Sequence, residues 1–153
     1  VSSTNNYIAH IHGRECMFAT LFFGVLNPAT GTLSYVNGGH EPLYIINAGN
    51  IKNRLKPTGP AVGLMPDITF KAQEIQLEPG DLLIGYTDGV TDACSPQGEA
   101  YTRDRLQSLL TQPFKSASET IERIKSNLFA FIDIAARGDD VTMLAVQRAA
   151  VAP

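Results

Sequence analysis

Short apolar runs dominate the first part of the chain, and helical spacing takes over after residue 92. Met17 to Leu26, rich in Phe, Leu, Thr and Val, predicts a central strand. Asn27-Pro28-Ala29-Thr30-Gly31 predicts a turn, and alternating Thr32 to Asn37 the return strand of a hairpin. Gly38-Gly39-His40-Glu41-Pro42 interrupts before a further strand, Leu43 to Ile46, and Ala48-Gly49-Asn50 turns the chain. Residues 55–66 carry three prolines and two glycines and predict a loop, with Val62 and Leu64 covering an edge of the core. Phe70 to Leu77 alternates and predicts a half-exposed strand; Pro79-Gly80 turns into the fully apolar run Leu82 to Tyr86, a buried strand.

Helical spacing marks the two ends of this pattern. Ile8 and Ile11 place the end of a helix in residues 1–12, with Gly13 as its stop. Leu106, Leu109 and Leu110 share a face of a helix over Arg103 to Leu110. Ser116-Ala117-Ser118-Glu119 has the form of a capping box. Ile121, Ile124, Leu128, Phe131, Ile132 and Ala135 follow at helical intervals, up to a stop at Gly138. Val141 to Val146 predicts the last strand, and residues 149–153 a frayed tail. Hairpins followed by helices argue for an α+β fold built on antiparallel sheet.

Composition narrows the class. With 153 residues, 44% hydrophobic and 18% charged, the chain is globular and most simply one domain, 1–153. A net charge of −3 without a Lys/Arg cluster gives no footprint for nucleic acid. No apolar stretch has the length of a membrane span, and the polar start is not a signal peptide. Cys16 and Cys94, far apart and outside any Cys-x-x-Cys, predict reduced thiols in a cytoplasmic protein.

The candidate chemistry is acidic. Asp88-Gly89 ends the buried strand, Asp92 follows four residues on, and Asp139-Asp140 opens the last strand. Strands with carboxylates at one end can bring them together, and clustered carboxylate oxygens suit magnesium or manganese. Gly89 has no side chain to crowd a ligand beside Asp88. His40, after two glycines at a strand end, is a candidate general acid or a structural ring bonded to its own loop. His10 and His12 sit in the predicted helix end and make a poor ligand pair.

Thr-Asp-Gly-Val-Thr-Asp-Ala at 87–93, Asn-Gly-Gly-His at 37–40 and Gly-Asp-Asp-Val-Thr at 138–142 together resemble the metal-dependent PPM protein phosphatases, in their SpoIIE/RsbU branch. Thr20 to Leu26, the Pro-Ala-Thr-Gly turn and Leu77-Glu78-Pro79-Gly80-Asp81 fit the same pattern in the same order, so the likeness runs from residue 17 to 148. The resemblance implies an antiparallel β-sandwich flanked by helices. It also implies hydrolysis of phosphoserine or phosphothreonine by a water held between two manganese or magnesium ions. By resemblance, Asp88 and Asp139 are metal ligands. Asp140 orients its neighbour or ligates, and Asp92 stands near an additional metal or caps a helix. The branch further implies a phosphorylated anti-sigma-factor antagonist as substrate and an upstream sensor domain as control.

One motif of the family is absent. No Gly-Asp-x-x-Gly-His-Gly occurs, the stretch whose aspartate bridges the two metals. The chain thus resembles the C-terminal two-thirds of a catalytic domain with its N-terminal part missing. Three expectations follow: the chain alone is inactive, it binds divalent ions weakly or not at all, and its uncovered strand edges promote self-association. The alternative is a non-catalytic phosphoprotein-binding module of the same fold. A haloacid-dehalogenase reading of Asp-Gly fails, because no Asp-x-Asp pair follows a first strand.

Overall fold

The structure is a computed structural model describing residues 1–15, 17–132 and 139–150. Within these lie three helices, α1 (Ser2–His12), α2 (Thr102–Leu110) and α3 (Ala117–Ile132). The strands are β1 (Leu21–Leu26), β2 (Thr32–Gly38), β3 (Leu43–Asn47), β4 (Asn50–Leu55), β5 (Gln73–Gln76), β6 (Leu82–Tyr86) and β7 (Met143–Gln147). The chain divides into two compact units, Val1–Pro42 with Leu55–Leu77, and Leu43–Arg54 with Glu78–Pro153. Each holds one antiparallel sheet, which bears out the α+β class.

The first unit holds the sheet β1-β2-β5. Asn27 builds its hairpin turn by accepting from the Ala29 and Thr30 amides, and Gly31 supplies a φ of 83°. Asn5, fully buried in α1, ties that helix to the loop after Leu55: its amide donates to the Met65 carbonyl at 2.9 Å, and its oxygen accepts from the Gly63 N–H at 2.8 Å. Several sequence expectations are corrected here. β1 starts at Leu21, not Met17, and is an edge strand rather than a central one; Met17 and Phe18 are exposed and only Ala19 bridges, to Val62. Val62 is core, whereas Leu64 is exposed. Phe70 to Leu77 contributes a strand only over its polar middle. Gly13 is right-handed (φ −60°), so α1 runs on into a 3-10 turn instead of stopping at a left-handed glycine.

The second unit holds the sheet β4-β3-β6-β7. Tyr44 and Ile46 of β3 and Leu82, Ile84 and Tyr86 of β6 share one face, because alternate residues do. α2 and α3 cover that face with Leu106, Leu109, Leu110, Ile124, Leu128 and Ile132. Each such side chain stabilises by about 1.5–3 kcal/mol when fully buried. The capping box forms in a shifted version: the Ser116 hydroxyl accepts from the Glu119 amide at 3.1 Å, while Glu119 reaches back to the Lys115 amide at 2.8 Å. The hairpin joining β3 to β4 turns through Ala48 and Gly49, both at positive φ. Strand β4 was not foreseen, since Lys52, Asn53 and Arg54 are polar and exposed at the sheet's edge. The expected helix stop at Gly138, Ala135 and the end of the tail lie outside the described residues, as does Cys16; Cys94 is an exposed free thiol. Among the described residues no helix is long and apolar enough to cross a membrane.

Candidate metal centre

Strand β6 is buried along its whole length and carries Thr87 and Asp88 out at its end. There it meets the segment leading into β7. The Thr87 amide donates to the Thr142 carbonyl at 3.0 Å, and the Thr142 amide donates to the Thr87 hydroxyl at 3.0 Å. That hydroxyl in turn donates to the Asp140 carbonyl at 3.1 Å. One threonine thus clasps both ends of residues 140–142.

Asp88, Gly89 and Val90 form a 3-10 turn. The turn closes through the Asp88 carbonyl, which accepts from the Asp92 amide at 2.8 Å and the Thr91 hydroxyl at 3.3 Å. Gly89 is buried, and a Cβ there would run into the Asp140 carbonyl oxygen and stand 3.0 Å from its carbon. Glycine is therefore required by the close approach of two backbones, not by its φ. A side chain at this position would therefore crowd the Asp140 backbone.

This contact sets the two acidic segments side by side. Asp88, Asp139 and Asp140 are all exposed. Asp88 accepts its own neighbour's amide at 3.1 Å and Asp139 accepts the Asp140 amide at 2.7 Å, each through one oxygen, Oδ1. No lysine or arginine pairs with either among the described residues. The donor set is carboxylate oxygen, which fits a hard divalent ion. It is also sparse: no group of three or more His, Cys, Asp or Glu side chains converges to enclose an ion among the described residues.

Asp92 caps no helix, which corrects that reading: α2 begins only at Thr102, and Asp92 is exposed, its Oδ1 3.4 Å from the Thr91 hydroxyl. His40 belongs to the first unit. Its amide donates to Asn37 Oδ1 at 2.9 Å, and its Nδ1 lies 2.9 Å from the Glu41 carbonyl, which can only accept. Asn37, fully buried, also donates to the Leu55 carbonyl at 3.2 Å, while its backbone bonds Thr58. Gly39, at φ 71°, lies where a Cβ would stand 2.7 Å from the Ala61 nitrogen. The Asn-Gly-Gly-His motif therefore holds the loop after Leu55. His10 and His12 lie on α1, bonded to the Asn6 carbonyl and Glu15. Thr87, Thr142 and Asn37 stand in the quoted motifs, but the sequence assigns them no role, because hydroxyls and amides whose partners lie far along the chain leave no local signal.

Comparison with known proteins gives the family and the fold. The family model described as Stage II sporulation protein E (SpoIIE) matches residues 1–149. Protein IcfG from Synechocystis is 53% identical over 148 residues, 97% of this chain and 23% of that protein. The phosphoserine phosphatase RsbU from Bacillus subtilis is 30% identical over 134 residues, 86% of this chain and 39% of that protein. The chain thus spans less than half the length of either relative. Among solved structures, the phosphatase domain of the cell-fate determinant SpoIIE from Bacillus subtilis, presoaked with manganese, superposes with a TM-score of 0.67. It is 16% identical, over 88% of this chain and 58% of that one, a likeness of fold. The chain belongs to the SpoIIE family, with the fold of its PP2C-type phosphatase domains.

Proposed function

We propose that this chain is part of a metal-dependent protein serine/threonine phosphatase, and that Asp88 and Asp139 supply one side of its metal site. The observation that carries the reading is the seating of Gly89 on the Asp140 backbone, which sets two exposed carboxylate segments together at one end of the β6–β7 pair. Manganese or magnesium, when bound, lowers the pKa of a water and neutralises charge on phosphoryl oxygens. Asp88 and Asp139 would hold such ions. Thr87 and Gly89 keep the two segments in register, and Asp140 acts through its backbone carbonyl. Asp92 closes the turn that aims Asp88.

The sequence has no Gly-Asp-x-x-Gly-His-Gly stretch, so turnover by this reading requires that stretch from a longer parent protein. The substrate is a phosphoserine or phosphothreonine protein of the anti-sigma-factor-antagonist kind, in the cytoplasm, under an upstream sensor. RsbU, named as a phosphoserine phosphatase, supports this reading by its relatedness.

The test is manganese-dependent hydrolysis of p-nitrophenyl phosphate by this chain alone and by the chain fused behind the corresponding upstream segment of RsbU. The chain alone is expected to be inactive and the fusion active, with Asp88→Asn lowering fusion activity by at least about a hundredfold. A fusion that keeps full activity with Asp88→Asn contradicts the assignment. An inactive fusion that still binds phosphoprotein favours the non-catalytic module.

A further inference from the structure

A cleft of about 560 Å³ opens beside Asp92 in the second unit. That is the size of a site for a small molecule or a few peptide residues. It begins one 3-10 turn from the candidate metal ligands, since Thr91 and Asp92, which line it, both bond the Asp88 carbonyl. The remaining wall comes from β4 through Arg54 and from the first turns of α2 through Arg103, Asp104 and Gln107.

Arg54 is the distinctive member. Its guanidinium lies 5.2 Å from the centroid of the Tyr44 ring. That ring is fully buried, and its hydroxyl accepts from Gln107 Nε2 at 3.2 Å. The ring holds the cation in place without neutralising it. Four other basic side chains of this unit pair with acids: Lys52 with Asp81, Arg105 with Glu99, Arg123 with Glu119 and Lys125 with Glu122. Among the described residues no carboxylate pairs with Arg54. A planar fork of donors, oriented by an aromatic face and facing a cleft, is suited to bind a carboxylate.

The other lining is mixed in charge: Asp92 and Asp104 share the cleft with Arg54 and Arg103. Alternating charges with threonine and glutamine between them match a polar polypeptide segment. The entry to α2 reinforces this: Thr102, a β-branched residue, takes a φ of 67°, a conformation that costs energy. Its amide donates to the Thr91 carbonyl at 3.0 Å, and so the start of α2 is drawn against the turn that bears Asp92.

We propose that this cleft seats the substrate polypeptide next to its phosphorylated residue, with Arg54 binding an acidic side chain of that segment. The inference rests on the phosphatase reading for the word substrate, but its measurement needs no turnover.

The probes are two fluorescein-labelled peptides, a phosphoserine flanked by glutamates and its twin flanked by glutamines, titrated against the whole chain and followed by anisotropy. The acidic peptide is expected to bind more tightly. Arg54→Met, which keeps the stem on Tyr44 and removes the charge, should weaken it by about tenfold and leave the glutamine twin within about twofold. Arg54→Lys should recover part of the loss. Thermal unfolding of each variant checks that Tyr44 remains packed. Equal loss on both peptides, no loss on either, or no binding of the acidic peptide at millimolar concentration overturns the proposal. Should Asp88→Asn leave hydrolysis intact while the Arg54 effect holds, the phosphatase assignment falls and the peptide site stands.

Discussion

Gly89 shows how much a single missing methyl decides. Its Cα faces the Asp140 carbonyl at a distance that no Cβ can occupy, so alanine must push one backbone off the other. Gly89→Ala is expected to destabilise by about 1–3 kcal/mol in urea unfolding, the usual cost of forcing atoms into a filled site. It should also shift the amide resonances of residues 139–142. Gly13→Ala is the control, because nothing lies within 4 Å and the backbone is already right-handed; it should be neutral or slightly stabilising. If both variants behave alike, the backbone contact is not what seats the acidic segments. At this scale the sequence was partly legible. Acidic residues at strand ends stand out locally, so Asp88 and Asp139-Asp140 could be named. The Thr87 clasp could not be, since its partners lie 53 and 55 residues away and a threonine before an aspartate has no distinctive spacing.

The elements were legible in proportion to how apolar they are. β6 and the helical faces of α2 and α3 declared themselves through their apolar spacing; β6 keeps its expected bounds and α2 begins one residue earlier. β4 did not, because an edge strand with solvated side chains has no apolar period to read. Beside Ile51 and Leu55, part of its hold on the sheet is polar. Lys52 reaches the fully buried Asp81 at 2.8 Å, and Asn47 and the Glu78 amide also donate to that carboxylate. Burial pushes the Asp81 pKa up, but the Lys52, Asn47 and Glu78 bonds outweigh it and hold it below the usual carboxylate range. A depressed carboxylate stabilises the fold above its unfolded pKa of about 3.9, and that stability is lost as pH falls through the lower folded value. Asp81→Asn is therefore expected to cost about 3 kcal/mol at neutral pH, the low end for a buried pair because Lys52 is partly exposed. The gap from the parent chain should narrow below about pH 4. A difference that stays constant down to pH 3 would show that the ionised pair is not its source.

At the scale of the molecule, the run of hairpins revealed the antiparallel class and the helical run after residue 92 revealed the α+β composition. Strand order was another matter. β6 lies between β3 and β7 although loops, helices and whole strands separate them in sequence, and no local pattern encodes such a neighbour. The same long-range pairing makes the candidate centre, because it brings residue 88 to residues 139–142 through the β6–β7 register, Tyr86 opposite Met143. The central claim is that these two segments act as one ion-binding edge. Paramagnetic broadening tests it most directly: manganese titrated into the nitrogen-15-labelled chain, with amide intensities read residue by residue, detects even weak binding. Broadening is expected to centre on residues 87–92 and 139–142, appearing together and vanishing together in Asp88→Asn. Broadening centred elsewhere, or unchanged by Asp88→Asn, would contradict it.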